Sequence, residues 1–539
     1  MSISLATELA ALDRARAAAQ ATLARLRSRS PGGGADALAD EYIDAVVAGA
    51  IERLQQDLLV FGRIDDDRPW RVGLFGVDEG GDQLVVDWRA PFATAFYQAS
   101  FGDPRGLTRR VSYVGCIDDL LIEDFVTGEV DGASPLFAAL SSERGSTMRA
   151  AVATLQSEQD ELVRLDPRSR LVLRGGPGTG KTVVGLHRAA WLVYNDQRLT
   201  ADRILVLGPS ERYLRFVATV LPSLGEARVA QTTFDRLLGP SCAAGSDERW
   251  IALLDDLERS LLRPATVALR GITVPEDEVA ALIDRFHRRA LPWRERRKLF
   301  VTSIASRCGV KSTEAAKATA SIWPACTLRS AWAKVRNRRV LTALGADREL
   351  IDAWLAADGD GTLHDEVRAR FEGVPARYSH AIVDEAQDLS LLQLRAVTRR
   401  SDGVTLVGDD AQRSNPAGMG LRRAAALVNG QVAEIATAYR MSAEIADWLN
   451  DHADAHGIEA VRLLGIRPTG APVREARSVE QAHADLASRW STVTVIRAEE
   501  VWDHKGVEYD AVVLDTARMT PPEVYLGASR AAHELVVVR

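Results

Sequence analysis

The run Gly175-Gly176-Pro177-Gly178-Thr179-Gly180-Lys181-Thr182 constrains this chain more than any other feature. It has the spacing G-x-x-x-x-G-K-T, follows the apolar run Leu171-Val172-Leu173 and opens a helix-like stretch. Strand, glycine loop and helix in that order make a cradle for phosphate. Glycines adopt backbone conformations closed to other residues, their N–H groups converge on phosphate oxygens, and the helix N-terminus adds a favourable dipole. On this reading Gly175, Gly176, Pro177, Gly178, Thr179 and Gly180 wrap the phosphates of ATP. Lys181 reaches the β- and γ-phosphates, and Thr182 binds Mg2+.

The second half of such a site is present downstream. Ile382-Val383-Asp384-Glu385 reads as a strand that delivers Asp384 toward Mg2+ and places Glu385 to orient or deprotonate the attacking water. Alone, the segment reads first as a strand ending in an exposed acidic turn; the glycine loop upstream gives it its chemical meaning.

The order of apolar runs indicates an α/β fold. Leu171-Val172-Leu173 and Ile204-Leu205-Val206-Leu207 read as buried parallel strands, and two more apolar strands lie between Ala381 and Val407. We expect two RecA-like P-loop lobes, an N-terminal helical hairpin and a helical insertion in the first lobe. The hairpin occupies 1–60. Its first arm carries Leu5, Leu9, Leu12, Ala19, Leu23 and Leu26 on one seam, Ser30-Pro31-Gly32-Gly33-Gly34 breaks it, and a second arm runs from about Asp36 to Leu59. A small β-rich segment follows at 61–130. The first lobe takes 131–240 and 376–428, the helical basic insertion 241–375, and the second lobe 429–539.

Charge and cysteines narrow the function classes. The 539 residues carry a formal net charge of −7, which gives no hint of a general nucleic-acid binder. Local basic clusters stand at Arg288, Arg289, Arg294, Arg296, Arg297 and Lys298, and at Lys334, Arg336, Arg338 and Arg339. They suit nucleic acid or an acidic protein surface, and equally the solvated faces of ordinary helices. Trp88, Trp293, Trp323 and Trp332 read as packing residues rather than base-stacking platforms. The four cysteines show no C-x-x-C pair, which points to free thiols rather than a zinc ribbon or a disulfide framework. The N-terminus lacks signal-peptide character and no apolar run spans a bilayer, so the expected setting is cytoplasmic, without membrane contact.

Asp384-Glu385-Ala386-Gln387-Asp388 resembles the DEAQD signature of superfamily 1 helicases of the UvrD/Rep type. Further elements occur in that family's order, and the resemblance implies their roles. Gln159 corresponds to the adenine-reading glutamine. Gly408-Asp409-Asp410-Ala411-Gln412 is similar to motif III, with Gln412 sensing the γ-phosphate. Tyr439-Arg440 is similar to motif IV, the tyrosine stacking on the base and the arginine meeting the γ-phosphate. Lys505-Gly506-Val507-Glu508 is similar to motif V, which puts Gly506 and Glu508 at the nucleotide, Glu508 near the ribose. Tyr525 to Ala531 resembles motif VI, making Arg530 the arginine finger.

A narrower resemblance covers the amino-terminal half. Asp87-Trp88-Arg89-Ala90-Pro91, followed by Phe96-Tyr97-Gln98-Ala99, resembles the DWRAP and FYQA blocks of HelD proteins. The stretch from Arg174 to Ala190, including Val183 in its nucleotide-binding part, is similar to that family's extended phosphate loop, as are Leu207 to Ser210 and Val220 to Glu226. The chain is thereby identified as a member of the HelD family in a shortened form. The resemblance implies an ATPase that binds bacterial RNA polymerase, with the hairpin in the secondary channel and the lobe insertion in the primary channel. It dissociates or recycles transcription complexes. Asp36, Asp40 and Glu41 at the hairpin tip read first as complements to the dipole of the second arm, and also suit a place near a polymerase's catalytic Mg2+. Two other classes stay open: a DNA translocase or helicase stimulated by single-stranded DNA, and a non-catalytic polymerase-binding factor.

Overall fold

The computed structural model describes residues 3–28, 47, 50, 51, 54, 60–114, 117–132, 155–195, 201–224, 226, 228–359 and 361–539. Most of the second arm, with Asp36, Asp40 and Glu41, lies outside the described residues, as do Cys116 and most of the stretch from Pro135 to Leu155.

The first arm is the helix Leu5–Arg27, opened by Ser4, whose hydroxyl accepts from the Thr7 N–H. Its buried face differs from the expected seam. Leu5 and Leu9 are exposed, whereas Glu8, Leu12, Ala15, Ala18 and Ala19 are buried. A sheet lies against this face. Seven strands, β1 (Val60–Asp65), β2 (Pro69–Gly73), β3 (Val77–Glu79), β4 (Asp82–Asp87), β5 (Arg109–Val114), β6 (Asp119–Asp124) and β7 (Val130–Asp131), pair in the order β3-β4-β2-β1-β5-β6-β7. Glu8, wholly buried, accepts from Arg63 at 2.7 Å, Arg71 at 3.0 Å and the Tyr113 hydroxyl at 2.5 Å. A buried carboxylate is tolerated only with such partners, so these three donors decide which face of the helix turns inward.

The centre is a parallel sheet of β8 (Arg170–Gly175), β9 (Ile204–Gly208), β10 (Ala230–Thr233), β13 (Tyr378–Val383), β14 (Ser401–Gly408) and β15 (Gln431–Ile435), in the order β10-β9-β13-β14-β8-β15. Leu171, Val172, Leu173 and Ile204 to Leu207 are almost wholly buried, as strands covered on both faces must be. This order sets the carboxyl ends of β8, β13 and β14 side by side, where open parallel sheets bind ligands. The helix Lys181–Asn195 packs so closely that a Cβ on Gly185 would meet Ile382 and Val407 at 3.3 Å. Inside that helix, buried Arg188 donates to the carbonyls of Val163, Leu165 and Asp166 and to Thr405, tying the lead-in segment to β14.

Residues between β10 and β13 build a helical body that includes Arg249–Leu261, Glu276–His287, Trp293–Cys308, Leu328–Val335, Arg348–Ala356 and Gly361–Phe371. A small hairpin of β11 (Val267–Leu269) and β12 (Ile272–Val274) lies within it. Trp250, Trp293, Trp323 and Trp354 are buried at its core, and Trp332 packs edge-on against Trp354. Two members of the basic cluster turn into the body, Arg296 wholly and Arg297 in part. Arg296 is buried on Glu258 at 2.7 Å, and Arg297 donates to the Trp323 carbonyl at 2.8 Å. Arg288, Arg289, Arg294 and Lys298 are exposed.

After β15 come the parallel pair β16 (Thr437–Ser442) and β17 (Leu464–Arg467). A second parallel sheet follows, of β18 (Arg474–Ala476), β19 (Val493–Ile496), β20 (Tyr509–Asp515) and β21 (Ala531–Val538), in the order β18-β21-β20-β19. The helices Ala443–His456 and Pro521–Ala528 pack on this unit.

Candidate nucleotide-binding site

The glycine loop leaves β8 at Gly175, and Gly178 and Gly180 take φ of +71° and +78°, conformations that strain any residue with a Cβ. Thr179 fastens the loop by donating to the Gly176 carbonyl at 2.9 Å. Pro177 is buried beside it, and Lys181 Nζ donates to the Gly176 carbonyl at 3.3 Å. Val183 continues the helix, its carbonyl bonded to buried His187. Gln159, 6% exposed, donates to the Thr179 carbonyl at 3.1 Å, so it lies on the outer wall of the loop.

Thr182 Oγ1 donates to Asp384 Oδ2 at 2.8 Å, bringing together a hydroxyl from the helix after β8 and a carboxylate just past the end of β13. Burial, with the Glu385 carboxylate beside it, pushes Asp384 up to about 6. Glu385 takes a left-handed φ of 53°, strained for a residue with a side chain. Burial works against its charge, but Lys505 and Lys181 outweigh it and hold Glu385 below the usual carboxylate range.

The chain after β15 closes the other wall. The Tyr439 N–H donates to the Gly178 carbonyl at 3.0 Å, and a Cβ on Gly178 would lie 3.7 Å from the Arg440 Cβ. The Tyr439 hydroxyl donates to Glu158 at 3.1 Å, so Tyr439 and Gln159 flank one end of the loop. Arg440 is half exposed and pairs with Glu508 at 3.3 Å; Gly506, at φ +78°, turns the chain just before it. Arg530 is 5% exposed and donates to Gln412 Oε1 at 3.1 Å. The fold thus brings Thr182 to Asp384, Tyr439 to the Gly178 carbonyl, Arg440 to Glu508 and Arg530 to Gln412.

Four participants were missed. Lys505 Nζ sits 2.9 Å from Glu385 and 2.7 Å from Asp388, and also reaches Ser414. Gln387 donates to Glu385 at 2.6 Å and accepts from the Asp409 N–H, joining the ends of β13 and β14. Asp388 holds the 414–415 turn through the N–H groups of Ser414 and Asn415. Tyr213 packs its ring over Gly208, where a Cβ would be 1.9 Å away, and hydrogen-bonds Asp384. Gln387, Asp388 and Lys505 lay inside recognised motifs without a role of their own; nothing local marks Tyr213.

The amino-terminal sheet is bolted to the same helix. Trp88 packs edge-on to His187 at 5.4 Å. Arg89, wholly buried, is held by Asp87 and by Glu226 at 2.6 Å, and the Arg89 carbonyl accepts from Asn195. The blocks Asp87 to Pro91 and Gly185 to Ala190 are therefore two sides of one interface.

Residues 3–116 match the family described as DNA helicase IV HelD, N-terminal domain, and residues 159–417 match an AAA domain. No curated protein matches the chain. Among solved structures, an Arterivirus nonstructural protein 10 (helicase) with DNA aligns over 80% of this chain and 73% of its own, at 10% identity and a TM-score of 0.31. A second structure of Arterivirus nonstructural protein 10 (helicase) aligns over 80% and 74%, at 13% identity and a TM-score of 0.29. The PRRSV helicase aligns over 94% and 71%, at 14% identity and a TM-score of 0.28. With a HelD amino-terminal domain followed by an AAA domain whose phosphate loop and acidic strand meet in one cleft, the chain belongs to the HelD family.

Proposed function

We propose that this chain hydrolyses ATP with Mg2+ between two RecA-like lobes, and that turnover dissociates or recycles complexes of a bacterial RNA polymerase. The lobes are 131–240 with 376–428, and 429–539. The observation that carries the reading is the convergence of Arg440 and Arg530 on the glycine loop and Gln412 from chain segments far downstream. A phosphate bound in the loop therefore meets cations from the other lobe, which couples its charge to lobe position.

The residues suit the ion. Thr182 and Asp384 offer two hard oxygens side by side, and Mg2+ commonly takes one or two protein oxygens and completes its shell with phosphate and water. When bound, Mg2+ neutralises charge on the phosphates. The protein does the rest. The loop N–H groups and Lys181 hold the phosphates, and Tyr439 and Gln159 place the base. Glu385 orients the water and accepts its proton. Gln412, Arg440 and Arg530 stabilise charge as the terminal phosphoryl leaves.

The partner reading rests on the family and on the two appendages, the arm within 1–60 for the secondary channel and the body within 241–375 for the primary channel. Exposed Arg288, Arg289, Arg294 and Lys298 give that body a basic corner suited to nucleic acid. Turnover should depend on Lys181, vanish in Lys181→Ala with polymerase binding intact, and rise more with polymerase than with single-stranded DNA. Stimulation by DNA alone would favour a translocase. Unchanged turnover in Lys181→Ala would refute the site.

A further inference from the structure

Three buried polar atoms at the seam between the sheets have no hydrogen-bond partner among the described residues: Asp409 Oδ2, Gln412 Nε2 and the Tyr525 hydroxyl. Their residues are 2%, 4% and 1% exposed. Native proteins seldom leave one such atom unpaired, because it has given up its hydrogen bond to water without a replacement. Three in one region call for a common explanation.

Gln412 gives the direction. Arg530 can only donate, and it donates to Gln412 Oε1 at 3.1 Å, so the amide is oriented with its NH2 group on the other side. Asp409 spends Oδ1 on the Ala411 N–H at 3.1 Å, which leaves Oδ2 as the free acceptor. Tyr525 lies on the helix Pro521–Ala528, which packs against the turn Asp410–Gln412, and its hydroxyl feels the charges of both Asp409 and Arg530. The set is a carboxylate that only accepts, an amide that only donates here, and a hydroxyl that does either. A water molecule satisfies all three by donating to Asp409 and accepting from Gln412, with Tyr525 filling its remaining valence. An anion would be repelled by Asp409.

We infer that Asp409, Gln412 and Tyr525 bind one structural water that fixes the Gln412 amide toward Arg530, making Tyr525 a positioning residue for the terminal-phosphate sensor. This deepens the ATPase reading and rests on it for its catalytic consequence. Without the water Gln412 is free to rotate, and its bond to Arg530 is no longer held ready for the phosphate.

Tyr525→Phe tests this, because it keeps the buried ring and removes only the hydroxyl. In the full chain without nucleotide, the melting temperature should fall, since a bridged hydrogen bond is lost. With ATP, kcat should drop by roughly 10- to 100-fold, the scale of a small misplacement, while KM changes little. Asp409→Asn should produce a similar drop, and the double variant should be no worse than either single one, because both act through one water. An unchanged or raised melting temperature with wild-type kcat would mean the hydroxyl is simply unpaired, and would overturn the proposal while Lys181-dependent turnover stood. If the wild-type chain shows no turnover, the ATPase reading fails, and an unchanged or raised melting temperature would still overturn the water.

Discussion

Arg530 is a buried cation with no carboxylate bonded to it among the described residues. Its guanidinium donates to Gln412, to the Ser529 hydroxyl and to the carbonyls of Leu526 and Val507. Burial lowers its pKa, which records the cost of keeping charge there. An anion arriving at the glycine loop offsets that cost, as expected of a group that acts when phosphate charge develops. Arg530→Lys keeps the charge but loses the planar fork that serves Gln412 and the two carbonyls together. It should lower ATP turnover by about 10³-fold, the scale of a missing arginine finger, while nucleotide binding measured by titration calorimetry changes only several-fold. Turnover within tenfold of wild type would remove Arg530 from that role. At this scale the sequence was readable where chemistry is local. Lys181, Thr182, Asp384 and Glu385 announce themselves by spacing, and Gln412 and Arg530 by their motifs. The role of Lys505 does not follow from its motif, because its contact with Asp388 spans 117 positions, and only the fold brings it onto Glu385 and Asp388.

Elements were legible in proportion to how much of their own surface they bury. The parallel strands are nearly continuous apolar runs, so β8, β9, β13 and β14 can be found without knowing their partners. The helix Leu5–Arg27 could not be oriented that way, since its apolar repeat suits another helix while the sheet beneath selects the face containing Glu8. The helical body shows the same dependence on charge. Glu366, wholly buried on Gly361–Phe371, accepts from Arg370 at 3.0 Å and from Arg395 and Arg399 on the neighbouring segment. Next to it Asp365 takes Arg399 and Arg400. These bonds fasten the body to the helix Leu391–Thr398, which follows the acidic strand directly. Burial alone would raise the Glu366 pKa; Arg399, Arg395 and Arg370 outweigh it and depress it from 4.5 to about 2. A depressed carboxylate contributes stability that is complete above the unfolded value and lost as pH falls toward the folded one. Urea unfolding should therefore show stability decaying between about pH 4.5 and 2. Glu366→Ala should cost about 3–5 kcal/mol at pH 7, because three buried or half-buried arginines lose their shared partner. A variant as stable as wild type at pH 7 would show that the arginines find other acceptors.

For the whole molecule, the decisive question is whether the two parallel sheets behave as one binding site. Several contacts join the segments around them. Tyr439 bonds the Gly178 carbonyl, Leu463 packs on Gly176, and Lys505 grips the acids after β13. Arg174, 7% exposed in its side chain, reaches Asp410, Glu434 and Glu459 at once, spanning β8, β15 and the segment beyond the helix Ala443–His456. The amino-terminal sheet is fixed through Arg89 and Trp88 to the helix that starts at Lys181, so a shift of the phosphate loop moves its anchor as well. A ligand that binds only the folded protein at 100 times its Kd stabilises it by about 2.7 kcal/mol, wherever its contacts lie. The distribution of protection is what separates the alternatives. With a non-hydrolysable ATP analogue and Mg2+, amide exchange should slow in 176–182 and 384–388, and equally in 437–442 and 505–510, because the second group supplies half of the cleft. In Arg440→Ala the protection of 505–510 should weaken while that of 176–182 persists, since Glu508 then loses the arginine that ties it to the loop. Protection confined to the first sheet in the wild-type chain would mean that the nucleotide never engages the second, and a motor driven by closure between them would have no basis.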